Sequence, residues 1–115
     1  MANTFKVVTK AGVTSADVIY TVAGSTTTII LGLMLGNTTS SAVTATVTLG
    51  TDTANRAGAN NETNQDVELI TSTSIPGNSS LELLSGNKVV MEATDTLSVT
   101  GSGAVDVCLS IMEIT

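Results

Sequence analysis

The 115-residue sequence predicts an all-β protein, an antiparallel β-sandwich of the jelly-roll or immunoglobulin-like type with about eight strands. Three observations support this fold class. Valine and threonine, whose β-branched side chains favour strands over helices, recur along the whole chain. Short apolar runs alternate with polar residues at a period of two. Turn-forming residues separate these runs at intervals of about 8–12 residues, which is typical of a sandwich.

The first two predicted strands are residues 18–22 and residues 28–35, separated by a turn at Gly24. The second of them is apolar on both faces. One face would carry Ile29, Leu31, Leu33 and Leu35, and the other Ile30, Gly32 and Met34. A strand of this kind is predicted to be buried on both sides, or to lie in a sheet whose second face meets another subunit.

The next strand, residues 42–49, alternates valine, alanine or leucine with threonine, which predicts one buried face and one solvated face. With residues 28–35 it is predicted to form a hairpin. Further strands are predicted at 67–75, 81–83, 88–92, 96–100 and 105–115. Residues 101–103, Gly-Ser-Gly, are predicted to form a hairpin turn before the last strand.

The domain organisation predicted from these elements is an N-terminal arm, residues 1–16, and one sandwich domain, residues 17–115. A long polar loop at 51–66 interrupts the strands and has no apolar periodicity. Loops of this length in compact domains are uncommon and are often functional. Two interpretations stay open for this loop: an arm that contacts a partner, or a surface excursion without a role.

The charge is acidic, with ten Asp and Glu against four Lys and Arg and a net charge of −6. The four basic residues, Lys6, Lys10, Arg56 and Lys88, do not form a cluster in the sequence. Binding to nucleic-acid phosphates or to an anionic membrane surface requires clustered basic side chains. We therefore expect neither a nucleic acid nor a membrane among the partners.

Export and disulfide formation are not indicated. The N-terminus lacks the basic and then apolar pattern of a secretory signal, and the apolar run 29–36 is much shorter than the ~20 residues of a membrane-spanning helix. The glycosylation motifs at Asn37, Asn61 and Asn78 are expected by chance in a chain rich in Asn and Thr. Cys108 is the single cysteine, and its alternating apolar surroundings predict a small buried side chain.

The chemistry available for catalysis is limited, because the chain has no histidine and one cysteine. The commonest general base and zinc ligand are thus missing, and we predict no enzymatic activity, no cofactor and no metal. A pair of carboxylates could still act on a glycosidic bond. The candidates are Asp52, Asp66, Glu82, Glu92, Asp95 and Asp106. We expect these acids to be solvated surface charges, and a hydrolase of host-envelope carbohydrate remains an alternative.

Several strand and turn segments are similar to those of a known family. In the N-terminal half they are MANTFK at 1–6, IYTV at 19–22 and IILGLMLGNTT at 29–39. In the C-terminal half they are SIPGNSSL at 74–81, LSGNKVVME at 84–92, DTLSV at 95–99 and SIMEIT at 110–115. Together they resemble small virion structural proteins of marine tailed bacteriophages, notably cyanophages. The pattern departs from the family at Pro76 and Gly77, where Pro-Ala-Gly is expected, and at Thr94 and Asp95, where Gly-Asp is expected.

The resemblance implies a virion component, assembled in the host cytoplasm, and does not fix its position in the particle. A compact, acidic, threonine-rich sandwich with a long loop and a polar N-terminal arm favours a capsid decoration or cement protein. Its partners would be the major capsid protein or other virion proteins, together with further copies of itself. A trimer would match the local symmetry axes of a shell. We expect the contacts from the arm and the loop, through Phe5, Lys6, Lys10, Asn55, Arg56, Asn60 and Asn61. The alternative is a tail, baseplate or fibre-attachment component involved in host binding.

Overall fold

The computed structural model describes residues 2–51, 65–84 and 87–115. Over these ranges the chain forms strands and no helix. The strands are β1 (Asn3–Val13), β2 (Ala16–Thr21), β3 (Thr27–Asn37), β4 (Val43–Gly50), β5 (Asp66–Ile75), β6 (Ser80–Glu82), β7 (Val89–Met91), β8 (Thr96–Gly101) and β9 (Val105–Ile114). They form two antiparallel sheets, so the predicted all-β sandwich is confirmed.

The order of the strands identifies the type of sandwich. Sheet I has the order β1-β9-β3, with the short strands β6 and β7 both paired to the remaining edge of β3. Sheet II has the order β2-β8-β4-β5. An immunoglobulin sandwich places several successive strands side by side, whereas here β4 and β5 are the one successive pair that is hydrogen-bonded in the described ranges. The arrangement is that of a jelly roll.

Two predicted hairpins are wrong. Strand β3 belongs to sheet I and β4 to sheet II, so residues 38–42 cross between the sheets. Residues 102–104 also cross between sheets, from β8 to β9. Turn residues show where the chain reverses direction. They do not show whether the next strand pairs with the previous one in the same sheet or lies opposite it in the other sheet. In a jelly roll most connections cross in this way.

The predicted N-terminal arm is also wrong, because residues 3–13 form strand β1, which is part of sheet I of the sandwich. β1 pairs with β9 from Asn3 opposite Ile114 to Lys10 opposite Val107, and a bulge follows before Val13. The strand lies at the edge of sheet I, where lysine side chains on its inner side still reach solvent. For this reason its sequence lacks the clean alternation of a central strand.

The core between the sheets consists of aliphatic side chains. Strands β4, β8 and β9 alternate as predicted, and their buried residues are Val43, Ala45, Val47, Leu49, Leu97, Val99, Val105, Val107, Leu109 and Ile111. Strand β3 departs from the prediction, because its register with β9 shifts between Ile30 and Gly32. Leu31 is the additional residue, so Ile30 and Leu33 both face the core and are buried. A bulge of one residue moves all later side chains of a strand to the opposite face.

A buried asparagine joins the β3–β4 connection to the β5–β6 turn. The Asn37 side-chain Nδ2 lies within hydrogen-bonding distance of the carbonyl oxygens of Ser41 (2.8 Å), Ile75 (2.9 Å) and Pro76 (3.1 Å), so one of its two N–H groups is shared. Its Oδ1 accepts from the N–H (2.9 Å) and the hydroxyl (2.7 Å) of Thr39. Asn37 is therefore a structural residue, and its fully bonded amide is not presented for glycosylation in the folded chain.

Candidate interaction surface

The residues predicted to contact partners have different locations. Phe5 lies on β1 with its side chain on the outside of sheet I, and it is 71% exposed. Lys6 and Lys10 project from the opposite side of β1, because neighbouring side chains of a strand alternate. Asn55, Arg56, Asn60 and Asn61 lie outside the described residues. The proposed role of all these residues in partner binding stays a prediction.

The two lysines contribute to a row of polar contacts between β1 and the neighbouring strands. The Lys6 Nζ lies 2.7 Å from Glu113 Oε1, and the Lys10 Nζ lies 3.6 Å from Asp17 Oδ2. The Tyr20 hydroxyl donates to Glu113 Oε2 at 2.5 Å. Hydrogen bonds from Lys6 and Tyr20 lower the pKa of Glu113, and burial together with the bond to Glu113 raises the pKa of Tyr20. These contacts join β1, β9 and β2 at the side of the sandwich.

Replacement of Glu113 by glutamine is expected to cost about 1 kcal/mol of unfolding free energy at neutral pH. The expected loss of unfolding free energy is small because Lys6 is largely exposed and its charge is screened. Since the folded-state pKa of Glu113 is lowered, its contribution is present above the ordinary carboxyl pKa of about 4.3 and is lost as the pH falls through the lowered value. Urea unfolding at neutral and at acidic pH measures the difference in unfolding free energy between Glu113→Gln and the wild type. Glu82→Gln, at an exposed position on β6, is the matched control and should show no such pH-dependent difference.

The outer face of sheet I carries a continuous row of large apolar side chains. The backbone register places Phe5 opposite Met112, Met112 opposite Ile29, and Ile29 opposite Val90. The row thus crosses the whole sheet from β1 to β7. Val7 (63% exposed) and Val90 (50% exposed) show how much of this surface is open to solvent. We call this surface the apolar face; its members are Phe5, Val7, Ile29, Leu31, Met34, Val90, Cys108 and Met112.

Beyond this row, small residues leave two hollows in the apolar face. One hollow has a volume of about 390 Å³ and is lined by Thr9, Lys10, Ala11, Met34, Gly36, Ser80, Asp106, Val107 and Cys108. The other has a volume of about 280 Å³ and is lined by Leu31, Gly32, Leu33, Met34, Glu82, Leu84, Cys108 and Ser110. Cys108 is exposed here, so the prediction of a buried cysteine is wrong. The alternation of β9 explains the difference, because Val107 and Leu109 face the core and Cys108 between them faces outwards.

The outer face of sheet II has the opposite character. Its central strands β4 and β8 present hydroxyl side chains, namely Thr44, Thr46 and Thr48 on β4 and Thr96, Ser98 and Thr100 on β8. The threonine row was predicted from the alternation of residues 42–49. Hydroxyl groups can remain hydrogen-bonded to water, so this face needs no protein cover, whereas the apolar face is the one that favours a contact.

The candidate carboxylates lie on different strands and turns in the part of the chain that the structure describes. Among those residues there is no group of three or more His, Cys, Asp or Glu that could hold a metal ion. Asp95, expected to be a surface charge, is instead fully buried, and its Oδ2 accepts a hydrogen bond from the Glu92 N–H at 2.9 Å. Asp106 accepts from the Gly12 N–H at 2.9 Å. Both contacts fix turns or strand ends, and Asp52 lies outside the described ranges.

The similarity of this chain to known proteins is slight. No family model matches the chain, and no curated protein matches it. A solved structure of Bacillus endospore appendages, described as a novel family of disulfide-linked pili, is similar at 14% identity. The match covers 96% of this chain and 85% of the other, with a TM-score of 0.45, which is too low to support an inference. In the described ranges there is no helix that could span a membrane.

Proposed function

We propose that this chain is a structural protein of a bacteriophage particle, which decorates and cements the capsid through protein–protein contacts. The observation that carries the proposal is the apolar face, where Phe5, Val7 and Val90 are at least half exposed. A contiguous apolar surface that crosses a whole sheet is uncommon on monomeric proteins and usually marks an interaction site. The segments that resemble phage virion proteins supply the kind of particle.

The rest of the molecule is compatible with this role. A jelly roll with a closed aliphatic core provides a rigid support, and the apolar face lies on regular strands rather than on loops. The proposal includes no catalysis, no cofactor and no metal. The partners in the proposal are the major capsid protein or other virion proteins, with neither nucleic acid nor a membrane.

Cryo-electron microscopy of purified particles tests the location of the protein. We expect density for this jelly roll on the outer surface of the head. Its copy number should be high and in a fixed ratio to the number of capsid subunits. Quantitative mass spectrometry of the same particles measures that copy number independently. Density confined to the tail, with a low copy number, would contradict the capsid role and support the tail, baseplate or fibre-attachment alternative.

A pair of valine variants tests the role of the apolar face in assembly. Val7→Ser is expected to reduce incorporation into particles about tenfold, because it places a polar group at the centre of a contact that excludes water. Val18→Ser is the matched control, since Val18 is similarly exposed (56%) but lies in sheet II. Incorporation is measured by quantitative mass spectrometry of purified particles. Equal incorporation of the two variants would contradict a role for the apolar face.

A further inference from the structure

The apolar face has a raised half and a hollow half. The raised half is the row of Phe5, Met112, Ile29 and Val90 across the sheet. The hollows lie around Cys108, four residues further back along β9, where Gly32, Gly36 and Ser80 carry little or no side chain. Met34 lines both hollows, and Ser110 borders one of them. Four residues of a strand correspond to about 13 Å. Ser110 lies midway between the two halves.

A surface that is raised at one end and hollow at the other is complementary to a second copy rotated by 180° about an axis that runs across the strands. The raised half of each copy then lies against the hollow half of the other. We propose that a second copy of this chain covers the apolar face in a two-fold dimer, with strand β9 of each copy crossing that of the other at Ser110. The row containing Met112 of one copy then fills the hollow beside Cys108 of the other, and the reverse contact forms at the same time. This inference names the partner for the face on which the proposed function rests.

The area of the face is sufficient for a specific dimer. It is four strand positions wide and its two longest strands have 11 residues each. At about 4.8 Å between strands and about 3.3 Å per residue, the face covers about 600–700 Å². Two copies would together bury about 1,200–1,400 Å², which is within the range of stable protein–protein interfaces.

The distribution of charge is compatible with the same arrangement. Among the residues that line the two hollows, the charged ones are Glu82, Asp106 and Lys10, and the Lys10 ammonium group pairs with Asp17. The two-fold arrangement brings Glu82 and Asp106 against the raised half of the other copy, so acidic groups of the two copies stay apart. Because each copy has a net charge of −6, long-range repulsion opposes the dimer, and added salt should strengthen it.

Light scattering coupled to size-exclusion chromatography tests the stoichiometry with the isolated full chain. Interfaces of about this size have dissociation constants from micromolar to picomolar, so at about 100 µM of chain the mass should be twice 11.6 kDa. Phe5→Ser should weaken the dimer about tenfold or more, whereas Val18→Ser should not change it. A monomeric mass overturns the inference. A trimeric mass overturns it too, because a trimer requires two different surfaces in each contact.

Cross-linking tests the position of the axis. In a Cys108→Ser background, Ser110→Cys should give a covalent dimer with a short bis-maleimide, because the two positions meet at the axis. The wild-type thiol at Cys108 should cross-link poorly, since the two copies of this residue would be offset by about 13 Å along the strands. Val18→Cys in the same background is the control and should give no dimer. Efficient cross-linking through Val18→Cys but not Ser110→Cys would overturn the arrangement.

The outcomes separate this inference from the proposed function. If the isolated chain is monomeric but Val7→Ser still fails to enter particles, a different virion protein covers the apolar face, and the inference fails alone. If the dimer forms as described but particles contain no copy of the chain, the proposed function fails and the dimer remains.

Discussion

Replacement of Asn37 by alanine is expected to reduce the unfolding free energy by about 3–4 kcal/mol. The substitution removes all five hydrogen-bond contacts of the Asn37 side chain, and it leaves the buried Ile75 carbonyl without the donor that the amide provides. A buried polar group left without its partner costs about 1–3 kcal/mol, and here several groups lose one at once. Urea unfolding followed by far-ultraviolet circular dichroism measures the change.

The control for this substitution is Thr38→Ala at the neighbouring position. Thr38 is exposed and its hydroxyl makes a long contact of 3.5 Å with the Ala104 carbonyl, so its loss should change stability by less than about 0.5 kcal/mol. Asn37→Asp keeps the acceptor for Thr39 but loses the donated bonds and buries a charge, so it should also destabilise. An unfolding free energy of Asn37→Ala equal to that of Thr38→Ala would contradict the structural role of the amide.

The strands themselves were largely predictable from the sequence. In β4 and β8 one face packs into the core and the other is a hydroxyl row, so the period of two is visible directly in the residue types. In β1 the same rule is obscured, because an edge strand need not be apolar on its inner side. Lys6 and Lys10 occupy that side and reach Glu113 and Asp17 at the rim.

The pairing of strands was not predictable, because local turn chemistry contains no information on which sheet the next strand joins. The bulge at Leu31 was hidden for a different reason. Residues 29–35 are apolar at nearly every position, so a shift of register by one residue leaves no trace in the pattern. Only the partner strand β9, whose alternation is regular, determines which residues of β3 face inwards.

The candidate surface was predicted in part. The two-sided apolar character of β3 indicated that its second face would need cover, and the structure places Met34 of that face on the outside of sheet I, 44% exposed. The row from Phe5 to Val90 could not be predicted, because it joins four strands that are distant in sequence. The chemistry of the individual residues also gave no signal, since exposed valine and methionine look the same in sequence as buried ones.

Replacement of Gly77 by alanine is the second substitution with a large expected effect. A Cβ added at Gly77 would lie 2.3 Å from the Ser40 carbonyl oxygen and 2.5 Å from its carbon, both backbone atoms that cannot move aside independently. We expect a loss of about 3 kcal/mol in urea unfolding. Gly24→Ala is the matched control, because nothing lies within 4 Å of its added Cβ, and its stability should equal or slightly exceed that of the wild type.

Gly77 and Asn37 act on the same corner of the sandwich, so their effects should not add. The Asn78 N–H donates to the Thr39 carbonyl and the Asn37 N–H to the Ser79 carbonyl, both at 2.8 Å, so the β5–β6 turn and the β3–β4 connection are held in one position. A side chain at position 77 pushes the two segments apart and weakens the bonds of the Asn37 amide. The double substitution should therefore cost at least 1 kcal/mol less than the sum of the two single ones, which a double-mutant cycle measures. Full additivity would show that the amide and the close approach at Gly77 stabilise the corner independently.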